Sequence, residues 1–370
     1  MKYDFVIIGT GFFGSTFARL AAECDLKCLL IDKRNHIGGN CYTEKIEGIN
    51  VHKYGPHIFH TNNDEIWDFV KQFSEFNNYQ HRIKVNHKNR IYSFPINLMT
   101  ANQIWGIKTP SEFDEKINEV RQFYRDKKSY DDLEGWALSN VGKDLYEIFI
   151  KGYTEKQWNT DPKNLPSFII KRIPLRNTFD DRYFNDVYQG VPVDGYTNLF
   201  ENMLDHKNID VQLNVDFFEN KKEILSSGNK IVYTGKIDEF YDYKFGELDY
   251  RSLRFESKIL KGDYQGCSIV NYTGSDIDYT RTVEHKHFEF LSSESTVVTW
   301  EYPDDYSIGK IPYYPINDEK NNLIYQNYKS IQKNSVDPHI IFGGRLGRYQ
   351  YMDMHQVVGS AIKSFYKILK

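Results

Sequence analysis

The 370-residue chain predicts an α/β (α+β multidomain) fold, a parallel-sheet domain interrupted by a helical bundle and an antiparallel sheet. Two observations carry this. The first is a βαβ pattern at the start of the chain. There β-branched "YDFVIIG" (3–9) runs into glycine, helix formers "STFARLAAE" (15–23) follow, and apolar "KCLLID" (27–32) returns. The second is two changes of hydrophobic period farther on, first to helical spacing and then to short alternating runs between turn formers. Length agrees, since the chain exceeds one ordinary core.

The elements follow in order. Between the first strand and helix stands "GTGFFG". Gly9, Gly11 and Gly14 supply the tight turn, close backbone approach and helix packing that a dinucleotide pyrophosphate requires, and the helix N-terminus favours its charge. Asp32 closes the second strand about 20 residues beyond, where a ribose hydroxyl needs an acceptor. A Rossmann-like domain follows from this combination. "KRNHIGGN" (33–40) then pairs Gly38 with Gly39, letting a second stretch of backbone lie close to the cofactor. This pattern resembles the two-dinucleotide-binding-domain flavoproteins related to amine oxidases and favours FAD over NAD. No second strand-GxGxxG-helix unit is present for NAD(P)H.

From Asn62 a cap-like stretch leads into "DEIWDFVKQFSEF", with Ile66, Phe69, Val70, Phe73 and Phe76 at helical spacing. "EFDEKINEVRQFY" aligns Phe113, Ile117, Val120 and Tyr124, and "DLYEIFIKGY" aligns Leu145, Ile148 and Phe149. Residues 78–155 are therefore expected to form a helical domain. "CSIVNYT" (267–273), "HKHFEFL" (285–291) and "TVVTWEY" (296–302) read as antiparallel strands, assigning 156–192 plus 244–315 to a sheet domain for substrate. A helix and two strands at 195–235, then "HIIFGG" (339–344) and a final helix, return to the first domain. That domain is expected to comprise 1–77, 193–243 and 316–370.

The net charge of −4 gives no basic field for nucleic acid, so an anionic ligand must be held by a local cluster of Arg or Lys. The four cysteines lack CxxC spacing and read as reduced thiols of a cytoplasmic protein, with Cys24 and Cys28 in the core beside the second strand. No apolar run approaches the roughly 18 residues of a membrane span.

Several segments carry candidate chemistry. "YGPHIFHT" sets His57 and His60 three apart, but no Cys/His set completes a metal site, and none is expected. His285 and His287 alternate on an expected strand and would share a face. In "LPSFIIKRIPLR" (165–176) two prolines bracket Lys171 and Arg172, with Arg176 just beyond, as in a hinged loop delivering a guanidinium. Arg281 in "DYTRTVEHKHF" offers a matching clamp for phosphate. "GYTEKQW" (152–158) joins rings to polar groups at a helix end, and "FGGRLG" (342–347) offers Arg345 to a cofactor pyrophosphate.

"HIGGN", "YGPHIFHTN", "KGYTEKQW", "LPSFIIKRIPLR", "YFND", "YRSL", "NYT", "YTRTVEHKHF", "PYYP" and "GRLGRYQYMDM" resemble, in order and spacing, segments of the bacterial UDP-galactopyranose mutases from residue 3 to about 360. The resemblance implies an FAD-dependent isomerase, active with reduced flavin, that interconverts UDP-galactopyranose and UDP-galactofuranose without net redox. Flavin N5 attacks the anomeric carbon, UDP leaves, the sugar passes through a flavin-iminium adduct, and UDP is recaptured. It implies Arg172 and Arg281 as catalytic clamps on the diphosphate, with Tyr183, Tyr314 and Tyr351 on the same phosphates. Tyr153 and Trp158 would meet uracil and ribose, Phe149 and Asn271 would line the nucleotide path, and His60 would stand near sugar and flavin.

On the cofactor side it implies Gly9, Gly11, Phe12, Phe13 and Gly14 at the pyrophosphate and Asp32 and Lys33 at the adenosine ribose. Gly39, Asn40, His57 and Ile58 would lie toward the flavin. Arg345, Tyr351, Met352, Asp353, Met354 and Gln356 would sit beside its ring. A homodimer and a reductant such as NAD(P)H are also implied. One position departs from the family: His81 in "YQHRIKV" stands where members tend to have Asn in contact with ligand. UDP-N-acetylgalactosamine or another nucleotide-linked pyranose thus stays open as substrate, as does, in another class, a flavin oxidase of the amine-oxidase type.

Overall fold

The computed structural model describes residues 3–124, 132–171, 173–334 and 339–369. They fall into two compact units. The first takes the chain up to Asn78, Asp186–Ser252 and the part from Tyr306 on, and the second takes Tyr79–Asn185 and Leu253–Asp305.

The first unit is built on five parallel strands in the order Ile340–Phe342, Gly228–Tyr233, Tyr3–Ile8, Cys28–Asp32 and Ile209–Leu213. Side chains alternate across a strand. One set, including Val6, Leu29, Ile31, Ile231 and Tyr233, therefore meets Phe217, Phe240 and Phe342 in a single apolar cluster. On the other set, Phe5 packs edge-on to Phe17 of the Phe12–Glu23 helix, and Phe17 packs on Phe365 of the Met354–Leu369 helix. The second and third segments reach farther than 193–243 and 316–370. Tyr188–Gly190 pairs with Phe59–Thr61, and Tyr314 and Pro315 pair with Arg251 and Tyr250. These short pairings join residues distant in the chain and leave no periodic trace in the sequence.

The second unit merges the expected helical and sheet domains. Its sheet runs from the Leu253–Lys261 part of a long strand through Ser295–Asp305, Arg281–Glu284, Ile269–Tyr272, Ile83–His87 and Arg90–Phe94. The last two form a hairpin inside the segment expected to be helical. Lys88 and Asn89 both take positive φ, as a two-residue hairpin turn requires, while Ile83, Val85, Tyr92 and Phe94 are buried on alternate positions. The helices Leu98–Trp105, Pro110–Tyr124 and Leu133–Leu145 follow, the second burying Phe113 and Ile117 as its spacing predicts.

"HKHFEFL" is not a strand. Glu284 is the last residue of the preceding strand, and its buried carboxylate accepts from Tyr264 N, Gln265 N and Thr296 Oγ1. His285–Phe288 then turns as a 3₁₀ helix, so His285 and His287 do not share a strand face. His285 is buried with Nε2 2.8 Å from Thr299 Oγ1, and burial lowers its pKa to about 3.

All four cysteines are free; Cys28 is buried as expected, whereas Cys24 caps the first helix and is exposed. Among the described residues no helix is long and apolar enough to cross a membrane.

Phe200 is fully buried with its ring 4.7 Å from that of Phe12. Phe200→Ala is expected to cost about 3–5 kcal/mol, read as a lower urea midpoint of the holoprotein. An unchanged midpoint would show that this aromatic layer carries no stability.

Candidate functional site

In the first unit, Gly9 N donates to Ile31 O at 2.8 Å and the chain turns into the helix Phe12–Glu23, whose N-cap is Gly11. The cap has no side-chain hydrogen bond, so the first-turn N–H groups face outward without helical acceptors. A Cβ on Gly14 would lie 2.0 Å from Gly9 O, and one on Gly39 would lie 3.2 Å from Gly11 Cα. The two glycine stretches therefore approach backbone to backbone, and no side chain separates a ligand from the amides. The rings of Phe12 and Phe13 point into the core, at 4% and 2% exposure, which leaves only their main-chain N–H groups for a pyrophosphate.

Asp32 Oδ2 accepts from Thr10 N (3.0 Å) and Thr10 Oγ1 (2.8 Å), and Oδ1 accepts from Arg34 N (3.1 Å). A carboxylate has about four acceptor sites, so one remains for a ribose hydroxyl. Lys33 is exposed, and Asn40 Oδ1 accepts from Arg34 Nη2 at 2.8 Å. The donor amides, the glycine-walled gap and the part-used carboxylate all fit a dinucleotide.

The remaining cofactor candidates gather on the same unit. Arg345 Nε donates to Met352 O at 2.6 Å, with its guanidinium 4.9 Å from the centre of the Tyr351 ring, and Tyr351 lies 6.0 Å from Tyr314, ring to ring. Met354 Sδ is 3.7 Å from Cys41 Sγ, and Asp353 N donates to Gln356 Oε1 at the start of the last helix. His57 gives Nδ1–H to Gly55 O at 2.7 Å beside buried Ile58. Desolvation, then the Arg345 charge, lowers the His57 pKa to about 4, so near neutral pH it presents an uncharged Nε2.

His60 and His57 are not partners. His60 Nδ1 donates to Asp186 Oδ2 at 2.6 Å, and Asp186 Oδ1 accepts from Asn62 Nδ2 at 2.5 Å. This fixes the tautomer with Nε2 as the second nitrogen. The His355 ring lies 5.0 Å from the His60 ring, and one ligand-type atom each from His60, Asp353 and His355 fall within 4.8 Å of one another. Asp186 was not singled out by sequence reasoning. The signal was the acid of "YFND", which has no meaning until Tyr188–Gly190 pairs with Phe59–Thr61.

In the second unit, Arg281 is held from two sides, its Nε 3.1 Å from Glu301 Oε1 and its Nη2 donating to Tyr153 Oη at 3.0 Å. Burial raises the Glu301 pKa and the Arg281 charge opposes that rise. Asn271 stands opposite Arg281 in the strand pair, and its buried Oδ1 has no hydrogen-bond partner among the described residues, as an acceptor awaiting a ligand donor would. Tyr153 and Trp158 are half-buried on the helix Gly152–Trp158. Phe149 is buried 5.7 Å from both Tyr92 and Phe94, ring to ring, rather than facing outward. His81 is buried with Nδ1 3.2 Å from Tyr79 Oη and its ring near those of Tyr183 and Phe184. Arg172 lies outside the described residues.

A parallel sheet, a glycine-walled helix N-terminus and an acid closing the second strand define a dinucleotide-binding protein of the Rossmann class. A family model for an NAD(P)-binding Rossmann-like domain matches residues 7–73, and one for UDP-galactopyranose mutase matches residues 148–351. The chain is 42% identical over 367 residues to dTDP-fucopyranose mutase of Escherichia coli, covering 97% of this chain and 96% of that protein. It is 40% identical over 369 residues to a probable UDP-galactopyranose mutase of Klebsiella pneumoniae, covering 98% and 93%. It shares its fold with the crystal structure of a reduced UDP-galactopyranose mutase, at TM-score 0.74 and 13% identity, covering 99% of this chain and 95% of that one. The chain belongs to the UDP-galactopyranose mutase family. It is an isomerase, and its Rossmann-like domain carries FAD.

Asp186→Asn keeps the shape beside His60 but can present an N–H where the carboxylate accepted. Mutase turnover of the reduced protein is expected to fall roughly 100-fold with the flavin absorbance retained. Unchanged turnover would remove Asp186 from the site.

Proposed function

We propose that the protein interconverts UDP-galactopyranose and UDP-galactofuranose without net oxidation. The observation that supports this most directly is Arg281, ion-paired with Glu301 and hydrogen-bonded to Tyr153 within the segment that the mutase family model matches. When bound, reduced FAD supplies a nucleophilic nitrogen that keeps the sugar on the enzyme while UDP is displaced. Negative charge grows on the UDP phosphates as that bond breaks. A guanidinium already held in place needs no rearrangement to stabilise that charge, and Arg172 and Tyr183 join it in this reading.

The proton inventory suits His60. Opening the pyranose places a proton on O5, and closing the furanose removes one from O4, so no net proton is exchanged. A single imidazole, oriented through Nδ1 by Asp186, can give the first from Nε2 when it starts the step as imidazolium and regain it from O4 at the same nitrogen. With the mutase reading go a reductant of the NAD(P)H kind, a homodimer and a cytoplasmic setting.

A second reading is favoured by the 42% relative, which acts on dTDP-fucopyranose. Fucose lacks the 6-hydroxyl of galactose. His81, enclosed by Tyr79, Tyr183 and Phe184, is the position where the sequence departs from the family's usual Asn.

Dithionite-reduced protein is expected to convert UDP-galactofuranose to UDP-galactopyranose, followed by chromatography beside dTDP-fucofuranose and the N-acetylgalactosamine analogue. Faster turnover of the thymidine sugar would replace the first reading by the second, and turnover of none would defeat both. Arg281→Ala is expected to lower turnover roughly 100-fold or more while FAD stays bound.

A further inference from the structure

Resting on the reading of the second unit as the nucleotide-binding face, we infer that Lys156 is a positioning residue that sets Asn271 and Arg281 for the nucleotide by pinning the loop that joins their strands. Lys156 lies on the helix Gly152–Trp158. Its Nζ donates to three main-chain carbonyls of one loop, Tyr272 O at 2.7 Å, Ile277 O at 3.0 Å and Tyr279 O at 3.0 Å. An ammonium has three N–H donors, and all three are used.

The loop closes a hairpin in which Asn271 and Arg281 are direct cross-strand partners. Its two ends are also held, by Thr273 N on Asn86 O, Thr273 Oγ1 on Ile148 O and Thr280 N on Glu301 O, whereas its tip is open. Ser275, Asp276 and Asp278 are exposed, and only Thr273, Gly274 and Thr280 of its interior residues are buried, so apolar packing does not define its shape. Lys156 adds a cation that ties Tyr272 O, before the turn, to Ile277 O and Tyr279 O, after it.

One turn back on the same helix, Gly152 makes the approach possible. A Cβ there would come 2.2 Å from Thr273 O. Gly152 and Lys156 are thus the i and i+4 positions of the helix face that docks on the loop, while Tyr153 between them receives the Arg281 hydrogen bond. Helix and loop are registered at three points, and the spacing in "GYTEKQW" is accounted for. Burial lowers the Lys156 pKa to about 8 against the opposing charges of Asp276 and Asp278.

The test uses the FAD-loaded protein. Lys156→Met keeps the length of the side chain and removes charge and donors. UDP binding, or dTDP binding if the wild type prefers it, is measured by calorimetry. It is expected to weaken roughly tenfold, the scale of one charged hydrogen-bond site. Amide hydrogen exchange is expected to rise in residues 272–281 and to stay unchanged in the strands Ile83–His87 and Ser295–Asp305. Affinity within twofold of wild type, or exchange raised through the whole unit, overturns the tether. If the Met variant does not fold, Lys156→Gln, which retains two donors, is judged by the same criteria. A wild-type protein that binds neither nucleotide overturns the underlying reading, whereas nucleotide binding indifferent to Lys156 overturns this inference alone.

Discussion

The first unit depends on one close backbone approach, that of Gly14 against the carbonyl of Gly9, with no room between them for even a methyl group. The approach seats the helix N-terminus at the end of the first strand, where its free amides and partial positive charge are concentrated. Glycines contribute no apolar surface, so the contact must be held from outside. The rings of Phe12, Phe59, Tyr196 and Phe200 pack together around the first turn, and Phe17 joins the first helix to the last through Phe365. The apolar half of the sequence GTGFFG thus supports the half that would face the ligand.

The second unit is held by buried charge used as fixed points. Burial alone would raise the Glu284 carboxyl, but His287, the amides of Tyr264 and Gln265 and the Thr296 hydroxyl bring it down to about 2. Lys286, also buried, spans Gly262 O and Ser293 O, and Lys156 spans three carbonyls. An isolated buried charge costs several kcal/mol, so each is tolerable only because every donor or acceptor meets a partner. Such groups give a polar, loop-rich region a single conformation where apolar packing would leave several.

The contrast explains what the sequence made legible. The glycine turn, Asp32 and the alternating parallel strands are local patterns, and the interrupted Rossmann-like unit could be read from them. The hairpin at Ile83–Phe94 was hidden because its apolar residues sit at strand spacing inside a stretch dominated by helical periods, with only Lys88 and Asn89 as a turn signal. Asp186 and Lys156 were illegible for another reason. Their partners lie 126 and up to 123 residues away in the chain, and an acid or a lysine in isolation reads as an ordinary solvated charge. His81 could be singled out in the sequence, but its enclosure by three rings could not.

A protein with net charge −4 that receives a nucleotide diphosphate must concentrate its cations where the ligand's charge will grow. Arg281 shows how little this needs to depend on raw attraction. Glu301 sits 3.1 Å away and offsets much of its field, so the pair draws a ground-state anion less strongly than a lone guanidinium would. What the pairing supplies is direction. In the proposed reading, a guanidinium ion-paired with Glu301 and bonded through Nη2 to Tyr153 would strengthen its interaction as negative charge accumulates on a departing phosphate rather than as the substrate first binds. Weak holding of the resting diphosphate and firm holding of the departing one is the balance a mutase needs. The same UDP must leave the anomeric carbon, stay within reach, and be taken back by the rearranged sugar.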